Sequence, residues 1–195
     1  MTFIINEYWH FFLLIIFAAS AVGFFAGLFG IGGGLISVPC LFFIFETLNF
    51  DKNYLMHLTV GTAFTITIFT STVSVMTHNK NKLVDFSVVK TFGIFVVIGV
   101  LAGTFFASIM KTKILVLFFS VVVYFFGAYL MMAQEKVKKI KPNSSITPRV
   151  ILGLFSGFVS APMGITGAMI NVPILRYLGY PISKCIGSAA AIGFF

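Results

Sequence analysis

Residues 23–39 read GFFAGLFGIGGGLISVP and residues 157–173 read GFVSAPMGITGAMINVP, which is the same pattern 134 positions later. Eight of the seventeen aligned positions are identical, where this composition would give roughly one or two by chance. The identical positions of the first copy are Gly23, Phe24, Gly30, Ile31, Gly33, Ile36, Val38 and Pro39. The chain is therefore an internal duplication.

The composition indicates a membrane protein. The chain is 59% hydrophobic and 9% charged, with a mean hydropathy of +1.07, which lies outside the range of soluble domains. Most of its apolar segments reach the roughly 20 residues that a helix needs to cross the hydrocarbon core. The segments cover residues 11–45, 58–77, 91–110, 114–133, 150–175 and 185–195. Because backbone groups find no water inside a bilayer, we expect an all-α integral membrane protein, a polytopic helical bundle with some broken helices.

The duplication divides the chain into halves of unequal length. The first half covers residues 1–133 with about four membrane segments, a basic linker covers residues 134–149, and the second half covers residues 150–195. The second half is short. Either the chain is an incomplete version of its architecture, or a second copy or another partner chain supplies the rest.

The net charge of +8 comes from basic residues confined to connections and segment edges, which is typical of a protein in the lipid bilayer and does not indicate nucleic acid as a partner. If every segment crosses once and the N-terminus is cytoplasmic, eight basic residues lie inside. The five outside are Lys52, Lys111, Lys113, Arg176 and Lys184. This imbalance favours a multi-pass protein of the cytoplasmic membrane with its linker inside.

Both copies of the repeat interrupt an apolar segment. Residues 30–34 form a poor helix, and the Val-Pro pairs ending in Pro39 and Pro173 lack an N–H group that a helix interior uses. We therefore expect broken helices, with half-helices beginning after Gly33 and after Gly167. Whether the chain then completes the crossing or returns as a hairpin decides between parallel and inverted copies, and the sequence leaves both open.

The interruptions are also the candidate binding site, since unwound backbone at membrane depth persists only beside protein or a watery cavity. No Asp, Glu, Lys or Arg lies in the cores of the first, second, fourth and fifth segments. A bound anion would therefore be held by helix N-termini and by neutral side-chain donors. The substrate-binding candidates are Gly30, Gly32, Gly33, Gly34, Ser37, Pro39, Thr62, Gly164, Gly167, Asn171, Pro173 and Ser188. Ser37 and Asn171 are equivalent in the repeat, as are Thr62 and Ser188.

Other glycine and hydroxyl residues have structural explanations. The pairs Gly23/Gly27, Gly99/Gly103 and Gly153/Gly157 have the spacing of close helix packing, and the Thr-rich segment 59–74 is expected to bond mainly to its own helix carbonyls. No nucleotide-binding loop, metal-ligand spacing or carboxylate pair occurs, so we expect no metal, no cofactor and no enzymatic activity. The competing class is a membrane accessory subunit whose glycine breaks serve assembly.

Four stretches carry a family resemblance: GLFGIGGGLISVP at 27–39, VGTAFT at 60–65, GITGAMINVP at 164–173 and IGSAAA at 186–191. Together they resemble the sulfite exporter TauE/SafE family of membrane permeases, over nearly the whole chain. The resemblance implies ATP-independent secondary transport, with export of sulfite, sulfonates or related organic anions. Thr166 and Ala168 depart from the family pattern, which has a glycine triplet there.

Overall fold

The computed structural model describes residues 34–132, 146–165 and 167–194, together with residues 9, 16–17, 19–20 and 23–24. From residue 34 onward, the described residues form helices and no strand. The helices are α1 (Gly34–Thr47), α2 (Leu55–Lys80), α3 (Phe86–Ser108), α4 (Thr112–Met132), α5 (Ile146–Met163), α6 (Ala168–Tyr177) and α7 (Ile182–Ile192). Helices α2 to α5 are long and apolar enough to cross a bilayer. The predicted class, an all-α polytopic membrane protein, is therefore confirmed.

Two ends of the bundle are fixed by hydrogen bonds between distant parts of the chain. At the Thr112 end, where α4 begins, the Thr112 hydroxyl donates to the carbonyl oxygen of Asn53, just before α2, at 2.6 Å. At the Arg149 end, near the start of α5, Arg149 Nη1 donates to Thr91 Oγ1 at 3.0 Å. Thr91 lies near the start of α3, in a π-helical turn at Val89–Gly93. Helix α2 therefore runs from the Thr112 end to the Arg149 end, and α3 runs back.

Helices α3 and α5 run parallel and pack backbone against backbone. A Cβ atom added to Gly103 would lie 2.5 Å from the carbonyl oxygen of Phe158, and one added to Gly157 would lie 2.7 Å from the Val100 nitrogen. Gly99 and Gly153 are equally enclosed by the opposite helix. No side chain fits at these contacts without a backbone shift, so the predicted packing role of these two glycine pairs is confirmed. For the third pair, a Cβ atom added to Gly23 meets nothing within 4 Å, and Gly27 lies outside the described residues.

Residues 150–175 form two helices, and the second returns along the first. Arg149 Nη2 donates to Tyr180 Oη at 2.9 Å, and Ser156, in the middle of α5, donates to Asn171 Oδ1 in α6. These contacts require α6 to run antiparallel to α5. The sequence predicts a break in this segment and leaves its direction open; the chain reverses at Gly164, whose φ of +64° is a left-handed conformation that favours glycine.

The half-helices of the two copies run in opposite directions. Helix α1 leads into the loop that holds Asn53 at the Thr112 end, whereas α6 leads to Tyr180 at the Arg149 end. Helices α2 and α7, which follow them, start from opposite ends as well. Of the two arrangements that the sequence leaves open, the copies adopt the inverted one.

Proline does not break the half-helices. Pro39 lies inside α1 and Pro173 inside α6, although the sequence predicts that the Val-Pro pairs contribute to the break. A proline near the start of a short helix removes only one donor, and the helix continues through it. In the second copy, one helix ends at Met163 and the next begins at Ala168, with the left-handed Gly164 between them.

The position of Lys184 corrects a second expectation. Lys184 Nζ lies 3.7 Å from Asp85 Oδ2, in the connection before α3, and is therefore at the Arg149 end. Arg176 lies in the last turn of α6, which approaches the same end. The expectation that both residues lie opposite Lys80 and the linker is wrong, because it assumes that residues 150–175 cross the membrane once.

Candidate functional site

The start of α1 contacts the turn that leads into α6, inside the bundle. Gly34 is the first residue of α1. A Cβ atom added to it would lie 2.8 Å from Ile165 Cα and 3.0 Å from the Gly164 carbonyl oxygen. One added to Gly164 would lie 3.1 Å from Val60 Cα in α2. The two copies of the repeat motif are thus in direct backbone contact, with α2 beside them.

This contact lies well inside the thickness of a membrane. Helix α1 has 14 residues and α6 has 10. At about 1.5 Å per residue, their lengths are roughly 21 Å and 15 Å, and they point to opposite ends of the bundle. Since the hydrocarbon core is about 30 Å thick, two half-helices of these lengths meet near its middle.

Of the first copy's candidates, Gly30, Gly32 and Gly33 lie outside the described residues. Gly34 is buried in the contact, and Ser37 is buried with its hydroxyl donating to the Gly34 carbonyl oxygen at 3.4 Å. Pro39 is exposed. The first copy therefore brings backbone, and one weakly bonded hydroxyl, to the centre of the bundle.

The second copy brings a buried polar cluster. Asn171 is fully buried, and its Oδ1 accepts a hydrogen bond from Ser156. Ser160 Oγ donates to the Ser156 carbonyl oxygen at 2.6 Å. Asn171 Nδ2 has no hydrogen-bond partner and would lie 2.6 Å from a Cβ atom on Gly167. A buried amide N–H2 group is therefore directed at the residue that precedes α6.

Sequence reasoning missed Ser156 and Ser160. Two hydroxyls four residues apart lie on one face of a helix, and they stand in an uncharged apolar segment. Their repeat partners are Val22 and Ala26. Comparison of the two copies for polarity, rather than identity, is the signal that could have found them.

Two other candidates, Thr62 and Ser188, lie away from the polar cluster. The Thr62 hydroxyl donates to the Leu58 carbonyl oxygen at 2.8 Å. The hydroxyls of Thr59 and Thr65 bond in the same way within α2, as predicted for the Thr-rich segment. Ser188 is buried near the Arg149 end, where its oxygen accepts from the Asp85 backbone N–H at 3.0 Å.

Pro173 lies among apolar side chains rather than at the polar cluster. It lines an apolar cleft of about 480 Å³ between α4, α5 and α6, with Phe126, Phe155 and Ile174 among the other walls. The walls of the cleft are apolar apart from the side chains of Tyr129 and Tyr177.

The electrostatics of the meeting point come from dipoles. Residues 53–79 and 150–175 contain no Asp, Glu, Lys or Arg. The first turn of α6 has no side-chain cap, so the N–H groups of Ala168 and Met169 lack intrahelical acceptors. Within the described part of the chain, no cluster of His, Cys, Asp or Glu is suited to hold a metal ion. The meeting point therefore offers helix N–H groups and neutral side chains rather than charged ones.

Inverted repeats whose half-helices meet inside a multi-pass helical bundle define a class of protein, the membrane transporters built on broken helices. Comparison with known proteins agrees with this class. The chain belongs to the Sulfite exporter TauE/SafE family, whose pattern matches residues 15–195. The family resemblance seen in the sequence is thereby confirmed.

Individual relatives are named only as transporters. A "Probable membrane transporter protein" of Haemophilus influenzae is 30% identical over 187 residues, which cover 94% of this chain and 69% of the relative. A relative of the same name in Methanocaldococcus jannaschii is 26% identical over 180 residues, covering 92% of this chain and 67% of the relative. A third, from Bacillus subtilis, is 20% identical over 185 residues, covering 86% and 68%. No solved structure matches the chain.

Proposed function

We propose that this protein is a secondary transporter of small anions in the cytoplasmic membrane, and that it exports sulfite, a sulfonate or a related organic anion. The substrate binds where α1 and α6 meet. The observation that carries the proposal is the contact of Gly34, at the start of α1, with Gly164 and Ile165, in the turn that leads into α6.

The physical basis is the helix dipole. Each helix N-terminus carries the equivalent of about half a positive charge, and the effect is strongest where water is excluded. Two such ends attract an anion without a buried cation, whose own desolvation would be costly. An anion held only by dipoles and neutral donors can also be released, which transport requires.

The substrate class rests on the family description, since the relatives are named only as membrane transporters. The sequence contains no nucleotide-binding loop. An ion gradient or the substrate gradient therefore drives the proposed transport.

The test is counterflow by the purified full chain in proteoliposomes, with sulfite, methanesulfonate, sulfate and acetate as substrates. We expect sulfite or methanesulfonate flux above that of protein-free vesicles. Gly34→Ala and Gly167→Ala should reduce it about tenfold or more, because both added methyl groups enter the meeting point. Gly61→Ala and Gly127→Ala are matched controls, because a Cβ atom at either position meets nothing within 4 Å.

Gel filtration and thermal unfolding of each variant separate loss of transport from loss of fold. If the folded Gly34→Ala and Gly167→Ala variants keep the native flux, the substrate binds elsewhere. Absence of flux for every anion, together with stable co-purification of another membrane protein, would favour the accessory-subunit function instead.

A further inference from the structure

We infer that Asn171, oriented by Ser156, is the side chain that selects the substrate, and that only the second copy of the repeat supplies such a donor. The ligand it takes is an oxyanion group with several oxygens, such as a sulfite, sulfonate or carboxylate. The inference rests on the proposed function for the nature of the cargo and goes beyond it in naming an asymmetric site.

The first step is the unpaired amide. Asn171 is 0% exposed and its Nδ2 has no partner, although buried polar atoms in native proteins are nearly always hydrogen-bonded. The amide lies against Gly167, where a Cβ atom would come within 2.6 Å of Nδ2. A larger residue than glycine would cover the donor. Glycine at this position leaves the space next to the donor, at the N-terminus of α6, free of side-chain atoms.

The second step is the orientation of the amide. Ser156 donates to Asn171 Oδ1, and this bond leaves the N–H2 side facing Gly167. The Ser156 backbone is itself held, because its carbonyl oxygen accepts from the Ser160 hydroxyl at 2.6 Å. Two serines of α5 therefore fix which end of the amide is presented, and that end is a donor.

The third step is the set of donors. Asn171 is the fourth residue of α6, and side chains in a helix lean towards its N-terminus. Its N–H2 group is thus directed towards the same end as the backbone N–H groups of Ala168 and Met169, which lack intrahelical acceptors. Several N–H donors at one helix end suit a group with several oxygens, and they exclude a cation.

The fourth step is the comparison of the copies. The partners of Ser156, Ser160 and Asn171 in the first copy are Val22, Ala26 and Ser37. Val22 and Ala26 cannot donate, and the Ser37 hydroxyl bonds to the Gly34 carbonyl oxygen of its own helix. The inverted repeat therefore does not make two equivalent sites, and anion selection belongs to the α5–α6 hairpin.

The experiment measures binding of sodium sulfite and sodium methanesulfonate to the purified full chain by thermal stabilisation, against sodium chloride at equal ionic strength. We expect stabilisation of the native chain by the oxyanions. Asn171→Asp should raise the apparent Kd about tenfold or more, since a hydrogen bond to a charged group is lost and a carboxylate faces the anion. Ser156→Ala should raise it less, because the donor remains but is no longer oriented.

Matched controls are Asn79→Asp and Ser120→Ala, both at exposed positions and expected to leave the Kd unchanged. The carboxylate of Asn171→Asp can still accept from Ser156, so a merely structural Asn171 predicts a native Kd in that variant. Such a Kd, or no stabilisation of the native chain by either oxyanion, would overturn the inference. Counterflow by Asn171→Asp separates the two proposals: native flux in this variant contradicts the inference alone, whereas no flux in the native chain contradicts the proposed function.

Discussion

Gly164 is the residue at which the α5–α6 hairpin turns. Its left-handed backbone, with φ of +64°, coincides with close contacts on two sides. A Cβ atom there would lie 3.1 Å from Val60 Cα and 3.3 Å from Val38 Cγ2. The left-handed backbone and the lack of room for a side chain both require glycine at position 164. This residue therefore lets the two half-helices and α2 come into contact.

Gly164→Ala should destabilise the protein by roughly 1–2 kcal/mol from the backbone conformation alone, with a further cost from the contact with Val60. Gly61→Ala, in an open helical position of α2, should be neutral or should stabilise by up to about 1 kcal/mol. Thermal or denaturant unfolding of both variants in detergent measures the difference. Equal stability of the two variants would contradict the role given to Gly164.

At the same scale, the sequence predicts some site residues better than others. Repeat identity identifies Gly164 and Gly167, and the repeat alignment also gives Asn171 as the partner of Ser37. Ser156 could not be found in this way, because its repeat partner is Val22. A search for identical residues misses a polar residue that only one copy has. Ser188 satisfies the same repeat criterion as Asn171, yet it bonds to the Asp85 backbone, because a tertiary partner decides what a hydroxyl does.

Among the elements, the α3–α5 pair is the closest contact in the described bundle. Helices in lipid gain no hydrophobic energy from association, so close backbone packing through glycine carries more of the stability. The spacing of Gly99/Gly103 and Gly153/Gly157 predicts this contact. The reversal between α5 and α6 could not be predicted in the same way, because a glycine break is compatible with either direction of the following helix.

Gly157→Ala should destabilise the bundle by roughly 1–3 kcal/mol, because the added methyl group overlaps the α3 backbone near Val96 and Val100. Gly127→Ala, in α4, adds the same methyl group to open space and should cost nothing measurable. Unfolding in mixed micelles measures both. If the Gly157→Ala variant is as stable as the native protein, α3 and α5 are less closely packed than described.

The hairpin is tied to the rest of the bundle by Arg149. Its guanidinium group reaches Thr91 in α3 and Tyr180 after α6, and it also lies 6.0 Å from the centre of the Tyr180 ring. One planar group with several donors makes both bonds, which a lysine ammonium cannot do with the same geometry. Arg149 is therefore one of the side chains that hold the connection between α6 and α7.

Arg149→Lys should loosen this connection without unfolding the helices. We expect faster amide hydrogen exchange in residues 178–185 and unchanged exchange in α4, because α4 makes none of these bonds. Lys113→Arg, at the Thr112 end, is the control and should leave both regions as they are. Native exchange in residues 178–185 would mean that other contacts hold the connection.

For the whole molecule, the hairpin changes the distribution of charge between the two ends. With Lys184 and Arg176 at the Arg149 end, the basic residues at the Thr112 end are Lys52, Lys111 and Lys113. The excess of Lys and Arg at the Arg149 end is therefore larger than single crossings predict. By the positive-inside rule, we expect this end to face the cytoplasm.

Cysteine labelling of intact cells checks this orientation, in a background without the free Cys40 and Cys185. A membrane-impermeant maleimide should label single cysteines at Lys52 and Lys113 from outside. Single cysteines at Lys82 and Lys138 should react only after the cells are opened. The reverse pattern would invert the molecule in the membrane.

The π-helical turn at Val89–Gly93 has a consequence for rotational register. At about 100° per residue, an unbroken α-helix would turn Thr91 about 80° from Gly99 and about 120° from Gly103. A π turn inserts one residue and removes about 100° of rotation over its whole length. Thr91 is the third of its five residues, so roughly half of that rotation is removed between Thr91 and the glycines, which leaves Thr91 about 30° from Gly99 and about 70° from Gly103. One additional residue thus places a hydroxyl for Arg149 and a flat glycine surface for α5 on the same side of one helix.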